Sequence, residues 1–339
     1  MIIVLKPGIS RKAERAVLRE IRKLGYSTHV MRGVARTVIG AIGDELTHTN
    51  LEMLVAQFPA AVESVTPIQK RYKLVSREAH PANSTIRVRE HVIGAQKLHV
   101  MAGPCSVEGE SQLLRTAEAV KAAGATMLRG GAFKPRTSPY EFQGLGEKGL
   151  KLLAKARRVT GLAVITELLS EQHVDLVAEY ADIIQIGARN AQNYQLLIAA
   201  AQTGKPVLLK RGLSMRIEEW LLAGEYVLAR ENPNLMFCER GIRTFETYTR
   251  NTLDLSAIPI IKRESHCPIV IDPSQGAGRA DLVTTLCKGA VVMGADALLI
   301  EVHPNPAEAW SDGAQQLSLD LFAQLMKELR PFIQAAGRE

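Results

Sequence analysis

Arg129, Lys134, Arg189, Lys210 and Arg240 are spread between positions 129 and 240, and each ends or closely follows a short apolar run. Guanidinium forks grip phosphate and carboxylate groups in bidentate fashion, and ammonium groups act on them as point charges. Brought together, such cations repel one another unless anions sit among them, so a phosphorylated small molecule is the natural partner. The competing reading is a structural ion network in which some of them, with Arg211, pair with Glu167, Glu239 and Asp272. A second set, Cys105, Glu301 and Asp312, offers a thiolate and two carboxylates, a donor mix suited to a divalent transition metal. Singly, each is ordinary: a lone cysteine is more often a small buried apolar group than a ligand. Their joint placement at one end of a fold is what makes a metal the better reading.

That placement depends on the elements between residues 97 and 339. Short apolar strands alternate there with amphipathic segments of helical length. The expected strands are Leu98–Gly103, Met127–Gly131, Ala163–Glu167, Ile183–Gly187, Val207–Arg211, Leu235–Glu239, Ile269–Asp272 and Ala297–Val302. Helices are expected between them, for example at Glu110–Ala123, Glu171–Tyr180, Asn193–Thr203 and Asp281–Met293. Eight such repeats in about 240 residues are what a TIM-type (β/α)8 barrel requires. A doubly wound sheet holds the same alternation, and the count favours the barrel. In a barrel the C-terminal strand ends converge on one mouth, and the reactive residues all fall at those ends.

The first seventy residues read as a βαββαβ unit. A strand at Met1–Lys6 meets Pro7-Gly8, and Ser10 is placed to cap a helix with Ala13, Val17, Ile21 and Leu24 on one face. Strands are expected at Ser27–Met31 and Ala35–Ala41, a helix at Asn50–Phe58 and a closing strand at Val62–Thr66. The order is that of the ferredoxin-like split βαβ motif. The chain thus divides into a ferredoxin-like domain (1–70), a linker with a hairpin at the barrel base (71–95, strands at Ile86–Val88 and His91–Ile93) and the catalytic barrel (96–339).

Composition sets outer bounds. The net charge of +7 comes without a basic block, and aromatics are only 5%, so a stacking platform for nucleic acid has little support. No run reaches the ~18 uninterrupted apolar residues of a membrane span. The opening MIIVLKPG lacks the basic and apolar regions of a secretory signal. Cys105, Cys238, Cys267 and Cys287 form no CxxC pair, which fits free thiols in a reducing compartment. A cytoplasmic protein without nucleic-acid or membrane partners is expected.

Several stretches together resemble a known family. They are AGPCSVE (Ala102–Glu108), LRGGAFKPRTSPYEFQGLG (Leu128–Gly146), IGARN (Ile186–Asn190) and LLKRG (Leu208–Gly212). ERGIRTFE (Glu239–Glu246), DPSQGAGR (Asp272–Arg279) and EVHPNPAEAWSDGAQQL (Glu301–Leu317) complete the set. The chain resembles the 3-deoxy-D-arabino-heptulosonate 7-phosphate (DAHP) synthases, in the type I-beta form with an N-terminal ferredoxin-like domain. KPRT distinguishes it from the sister synthases of 3-deoxy-D-manno-octulosonate 8-phosphate, which typically carry a KANR-type sequence there. The resemblance implies condensation of phosphoenolpyruvate with erythrose 4-phosphate at the entry to aromatic amino-acid biosynthesis. It assigns phosphoenolpyruvate to Arg129, Lys134, Arg189, Lys210 and Arg240, and the sugar phosphate to Lys134, Pro135, Arg136 and Thr137. Lys134 and Cys105 are the implied catalytic residues. The ferredoxin-like domain implies an aromatic amino-acid effector, tyrosine or phenylalanine, and a homotetramer.

The family's four metal ligands are a cysteine, a histidine, a glutamate and an aspartate, serving manganese, zinc, cobalt or iron. Cys105, Glu301 and Asp312 match, but the histidine of a motif normally reading DPSH is Gln275. An amide oxygen is a harder, weaker donor than imidazole, so late transition metals should bind less tightly. His303 is two residues beyond Glu301 and is usually not a ligand, and His266 precedes the seventh barrel strand, at the wrong end. Gln275 leaves three readings: altered metal dependence, a related aldose phosphate as substrate, or a catalytically weak anion-binding protein. The retained cations argue against the last.

Overall fold

The computed structural model describes residues 1–33, 36–43, 49–66 and 70–339. The chain forms two compact units, Met1–Ala82 with Glu264–His266, and Asn83–Arg263 with Cys267–Glu339.

In the first unit, β1 (Ile2–Leu5), α1 (Arg11–Lys23), β2 (Ser27–Arg32) and β3 (Thr37–Ile42) are followed by α2 (Thr49–Glu52), α3 (Leu54–Gln57) and β4 (Val62–Thr66). The sheet order is β2-β3-β1-β4, all antiparallel, which is the ferredoxin-like arrangement. Ser10 caps α1 by accepting from the Ala13 amide at 3.2 Å. Val17 and Ile21 of that helix pack with Ile3, Leu5 and Ile39 of the sheet. The expected start of the third strand, Ala35, lies outside the described residues. Where one helix was expected over 50–58, two short ones meet at Met53.

The second unit opens with a hairpin, β5 (Ile86–Val88) and β6 (His91–Ile93). Eight parallel strands follow and close on themselves: β7 (His99–Gly103), β8 (Met127–Arg129), β9 (Ala163–Glu167), β10 (Ile183–Ile186), β11 (Val207–Lys210), β12 (Leu235–Glu239), β13 (Ile269–Ile271) and β14 (Ala297–Glu301). The closing pair is β14 with β7, Glu301 opposite Gly103. A doubly wound sheet is therefore excluded. Between strands run α4 (Glu110–Ala122), α5 (Glu147–Thr160), α6 (Val174–Tyr180), α7 (Tyr194–Gln202), α8 (Ile217–Leu228) and α9 (Ala257–Glu264). The short α10 (Pro273–Ala277), then α11 (Ala280–Val292) and α12 (Leu319–Ala335), complete the ring.

The barrel interior is a packed core, as this architecture requires. Met101, Met127, Ile165, Leu208, Met236 and Leu299 point into it, and Ile86, Val88 and Ile93 of the hairpin join the same cluster. Neighbouring residues in each strand face the helices: Trp220 of α8 stacks edge-on against Phe237 of β12 and donates its indole N–H to the Leu209 carbonyl. With the interior filled and the outside covered, the polar strand ends have one place to converge.

Candidate active site

The C-terminal strand ends surround a cavity of about 330 Å³. Its lining includes Lys134, Arg136, Arg189, Lys210, Arg240 and Gln275, with Pro135, Thr137 and Asp312 also present. The resemblance-based substrate residues are thus brought together, except that Arg129 lies behind the lining. There the Arg129 guanidinium donates to Glu301 Oε1 at 3.0 Å and to the Pro104 carbonyl at 2.8 Å, while its buried Nε has no partner. A buried donor without an acceptor is a costly arrangement.

The cations differ in how they are held. Lys210, buried at the end of β11, gives its ammonium to Asp272 Oδ2 at 2.5 Å and to Gln275 Oε1 at 3.3 Å. Arg240, just past β12, reaches the same Gln275 oxygen with Nε at 3.4 Å and Nη2 at 3.3 Å. Burial is the main influence on Arg240 and pulls its pKa down, only partly offset by Asp272. Arg189 sits exposed on the turn after β10, and Arg136 is tied to Glu141 at 2.6 Å in the loop after β8. Arg211 is different: it pairs with Glu239 and Asp254, each at 2.9 Å, and does not line the cavity. For Arg211 the structural-network reading is the correct one.

Lys134 is placed by backbone that only glycine permits. A Cβ on Gly131 would stand 2.8 Å from both the Cys105 carbonyl oxygen and Lys134 Cδ. The Lys134 ammonium accordingly reaches the Cys105 carbonyl at 3.1 Å and Sγ at 3.0 Å. Burial works against its charge, but Cys105 and Glu301 outweigh burial and hold its pKa above the ordinary lysine value. Burial, reinforced by Glu301, pushes the Cys105 thiol up to about 12.

The donor atoms of Cys105, Glu301 and Asp312 all lie within 4.8 Å of one another, the only such group of histidine, cysteine and acidic residues among the described residues. Asp312 adopts a left-handed backbone (φ 49°), a strained conformation of the kind stored at functional sites. Burial opposes its ionisation, yet Arg250 and Lys134 outweigh that and lower its pKa. The donor chemistry of these three residues fits a divalent cation. Gln275, at the position of the family's fourth ligand, turns its oxygen to Lys210 and Arg240, and its Nε2 faces Glu301 Oε1 at 3.5 Å. His303 offers no rescue, since Glu108 and the Asn305 amide hold its two ring nitrogens.

Sequence reasoning missed Arg243, Arg250 and Asn251 in the lining, and Gln315, which donates to Glu301 Oε2 at 2.6 Å. Arg250 joins Asp312 to Gln315 at 3.1 and 3.2 Å. Arg243 lies inside the ERGIRTFE stretch, so its motif was a usable signal. Arg250 and Asn251 come from the loop after β12, where no periodic pattern points at them.

A (β/α)8 barrel whose mouth gathers several cations beside a thiol–carboxylate cluster is the architecture of an enzyme class suited to small phosphorylated anions. Residues 76–335 match the DAHP synthetase I family and residues 1–70 the DAHP synthase ferredoxin-like domain. The chain belongs to the DAHP synthetase I family. It is 50% identical over 339 residues to the phospho-2-dehydro-3-deoxyheptonate aldolase of Thermotoga maritima, covering 99% of each chain. The crystal structure of a Thermotoga maritima DAHP synthase matches with a TM-score of 0.79 at 49% identity, covering 100% of this chain and 98% of that one. A more distant relative, a 2-dehydro-3-deoxyphosphooctonate aldolase of Caulobacter vibrioides, is 34% identical over 269 residues, 74% of this chain and 91% of its own length.

Proposed function

We propose that the cavity condenses phosphoenolpyruvate with erythrose 4-phosphate and water, giving DAHP and inorganic phosphate. The observation that carries this reading is the convergence of Lys134, Arg189, Lys210 and Arg240 on one cavity, with Arg129 directly behind it. Such a charge set suits a substrate bearing both a phosphate and a carboxylate.

In this reading Arg129, Arg189, Lys210 and Arg240 grip phosphoenolpyruvate and fix the face on which its C3 carbon is exposed. Pro135, Arg136 and Thr137 hold the sugar phosphate so that its aldehyde carbon stands over C3. A bond forms between C3 and the aldehyde carbon, water adds at C2, and the C2–O bond to phosphate breaks. Lys134, kept as an ammonium beside Cys105, is the proton donor to the aldehyde oxygen as it becomes a hydroxyl. Cys105, Glu301 and Asp312 would hold a divalent metal, which when bound supplies Lewis-acid polarisation of a carbonyl oxygen. Manganese, zinc, cobalt and iron are the candidate ions.

The ferredoxin-like part, taken as residues 1–70, is proposed to bind an aromatic amino acid in a homotetramer, with 71–95 as linker and hairpin and 96–339 catalytic. Among the described residues no helix is long and apolar enough to cross a membrane. A cytoplasmic location is part of the proposal.

Substrate choice is tested by steady-state rates with erythrose 4-phosphate and arabinose 5-phosphate at equal phosphoenolpyruvate. A kcat/KM higher for erythrose 4-phosphate supports the assignment, and the reverse order would replace it with the octulosonate reaction.

A further inference from the structure

Gln275 occupies the third position of α10, and its backbone is pinned on both sides. Its amide donates to Asp272 Oδ1 at 2.9 Å, and its carbonyl accepts from Asn251 Nδ2 at 2.9 Å. The side chain therefore reaches out from a fixed point between two charged groups. On one side, Lys210 Nζ, Arg240 Nε and Arg240 Nη2 lie 3.3–3.4 Å from Oε1. On the other, Glu301 Oε1 lies 3.5 Å from Nε2. Rotating the amide by half a turn would set its NH2 against an ammonium and a guanidinium, and its oxygen against a carboxylate. Elementary electrostatics fixes the orientation seen.

We infer that Gln275 is a positioning residue of the anion pocket rather than a metal ligand, its carboxamide tying Lys210 and Arg240 to Glu301. The amide spaces the two cations around a shared acceptor while leaving their remaining donors for a bound phosphate or carboxylate. It also supplies a hydrogen bond to Glu301, which already accepts from Arg129 and Gln315. The protein's donors for a divalent cation are then three, Cys105, Glu301 and Asp312, and other coordination positions fall to water or to a substrate oxygen. This inference rests on the reading of the cavity as a phosphoenolpyruvate site.

The test separates metal affinity from anion affinity in the full-length protein. Cobalt(II) is titrated into metal-stripped protein and followed by thiolate-to-cobalt charge-transfer absorption. Phosphoenolpyruvate is titrated calorimetrically into the metal-free form. Gln275→Ala, with Gln275→Leu as a size-matched second variant, is expected to keep the cobalt dissociation constant within about twofold and to weaken phosphoenolpyruvate by about tenfold. Gln275→His is expected to tighten cobalt by about tenfold or more. Cobalt affinity about tenfold weaker in the Ala or Leu variant, or no tightening in Gln275→His, would overturn the inference. So would unchanged phosphoenolpyruvate affinity in variants of a wild type that binds it. If wild-type protein binds no phosphoenolpyruvate at all, the functional reading fails along with this one.

Discussion

Lys134 Nζ stands 3.0 Å from Cys105 Sγ, so a buried ammonium of the cavity lining and the thiol of the metal-type cluster share one contact. Substrate side and metal side are therefore a single unit, and damage to either residue reaches the other. Replacing the ammonium with an amide, as in Lys134→Gln, removes the proposed proton donor and should lower kcat by about 10²–10⁴-fold. Phosphate release assays on the purified variant, with circular dichroism to confirm folding, check this. A kcat within threefold of wild type would contradict it.

The same contact is sensitive to backbone crowding. Gly131→Ala would drive a methyl into the Cys105 carbonyl and the Lys134 stem. A displacement of about 1 Å at a catalytic group costs on the order of 10²-fold in rate. The variant should fold and still bind phosphoenolpyruvate, with the loss appearing in kcat.

Arg211 and Arg240 follow the paired strands β11 and β12 and have opposite expected phenotypes. Arg240→Ala should raise the phosphoenolpyruvate dissociation constant by about 10–100-fold, the loss of one or two charge-assisted hydrogen bonds. Arg211→Ala instead strands Glu239, which is 0% exposed, without its cation. A broken buried ion pair costs about 3–5 kcal/mol, so denaturant unfolding is the measurement that should register it.

The barrel's stability should fall in mild acid. Burial pushes His99, at the start of β7, down to about 4 from the ordinary 6.5. The unfolded chain takes up this proton as pH drops below about 6.5, whereas the folded chain does so only near 4. The contribution is thus fully present above pH 6.5 and lost progressively between 6.5 and 4. Unfolding at pH 7.5 and pH 5 should differ by on the order of 1–2 kcal/mol from this residue, and His99→Gln should shrink the difference.

Much of this was legible in the residues themselves. The eight barrel strands are short apolar runs that stop at or just before a Gly, Arg, Lys, Glu or Asp, and their expected limits hold within about two residues. The hairpin at Ile86–Val88 and His91–Ile93 was readable because two β-prone triplets flank a two-residue turn. The break at Met53 was not, since nothing in that stretch is a helix breaker. At the site, pairing of some of the basic residues with Glu239 and Asp272 was foreseeable, but which cation would be structural was not. That depends on Asp254, 43 residues from Arg211 along the chain. Arg250 and Asp312, 62 residues apart, meet only through the folded loops, and the orientation of the Gln275 amide follows from charges on three separate strand ends.

The most direct test is inorganic phosphate release from phosphoenolpyruvate by purified protein with manganese present, with and without erythrose 4-phosphate. Release that depends on the sugar, matched one to one by loss of phosphoenolpyruvate and lowered at least about 10²-fold in Lys134→Gln, is the expected result. Folded protein that binds phosphoenolpyruvate yet releases no phosphate with erythrose 4-phosphate would contradict the assignment.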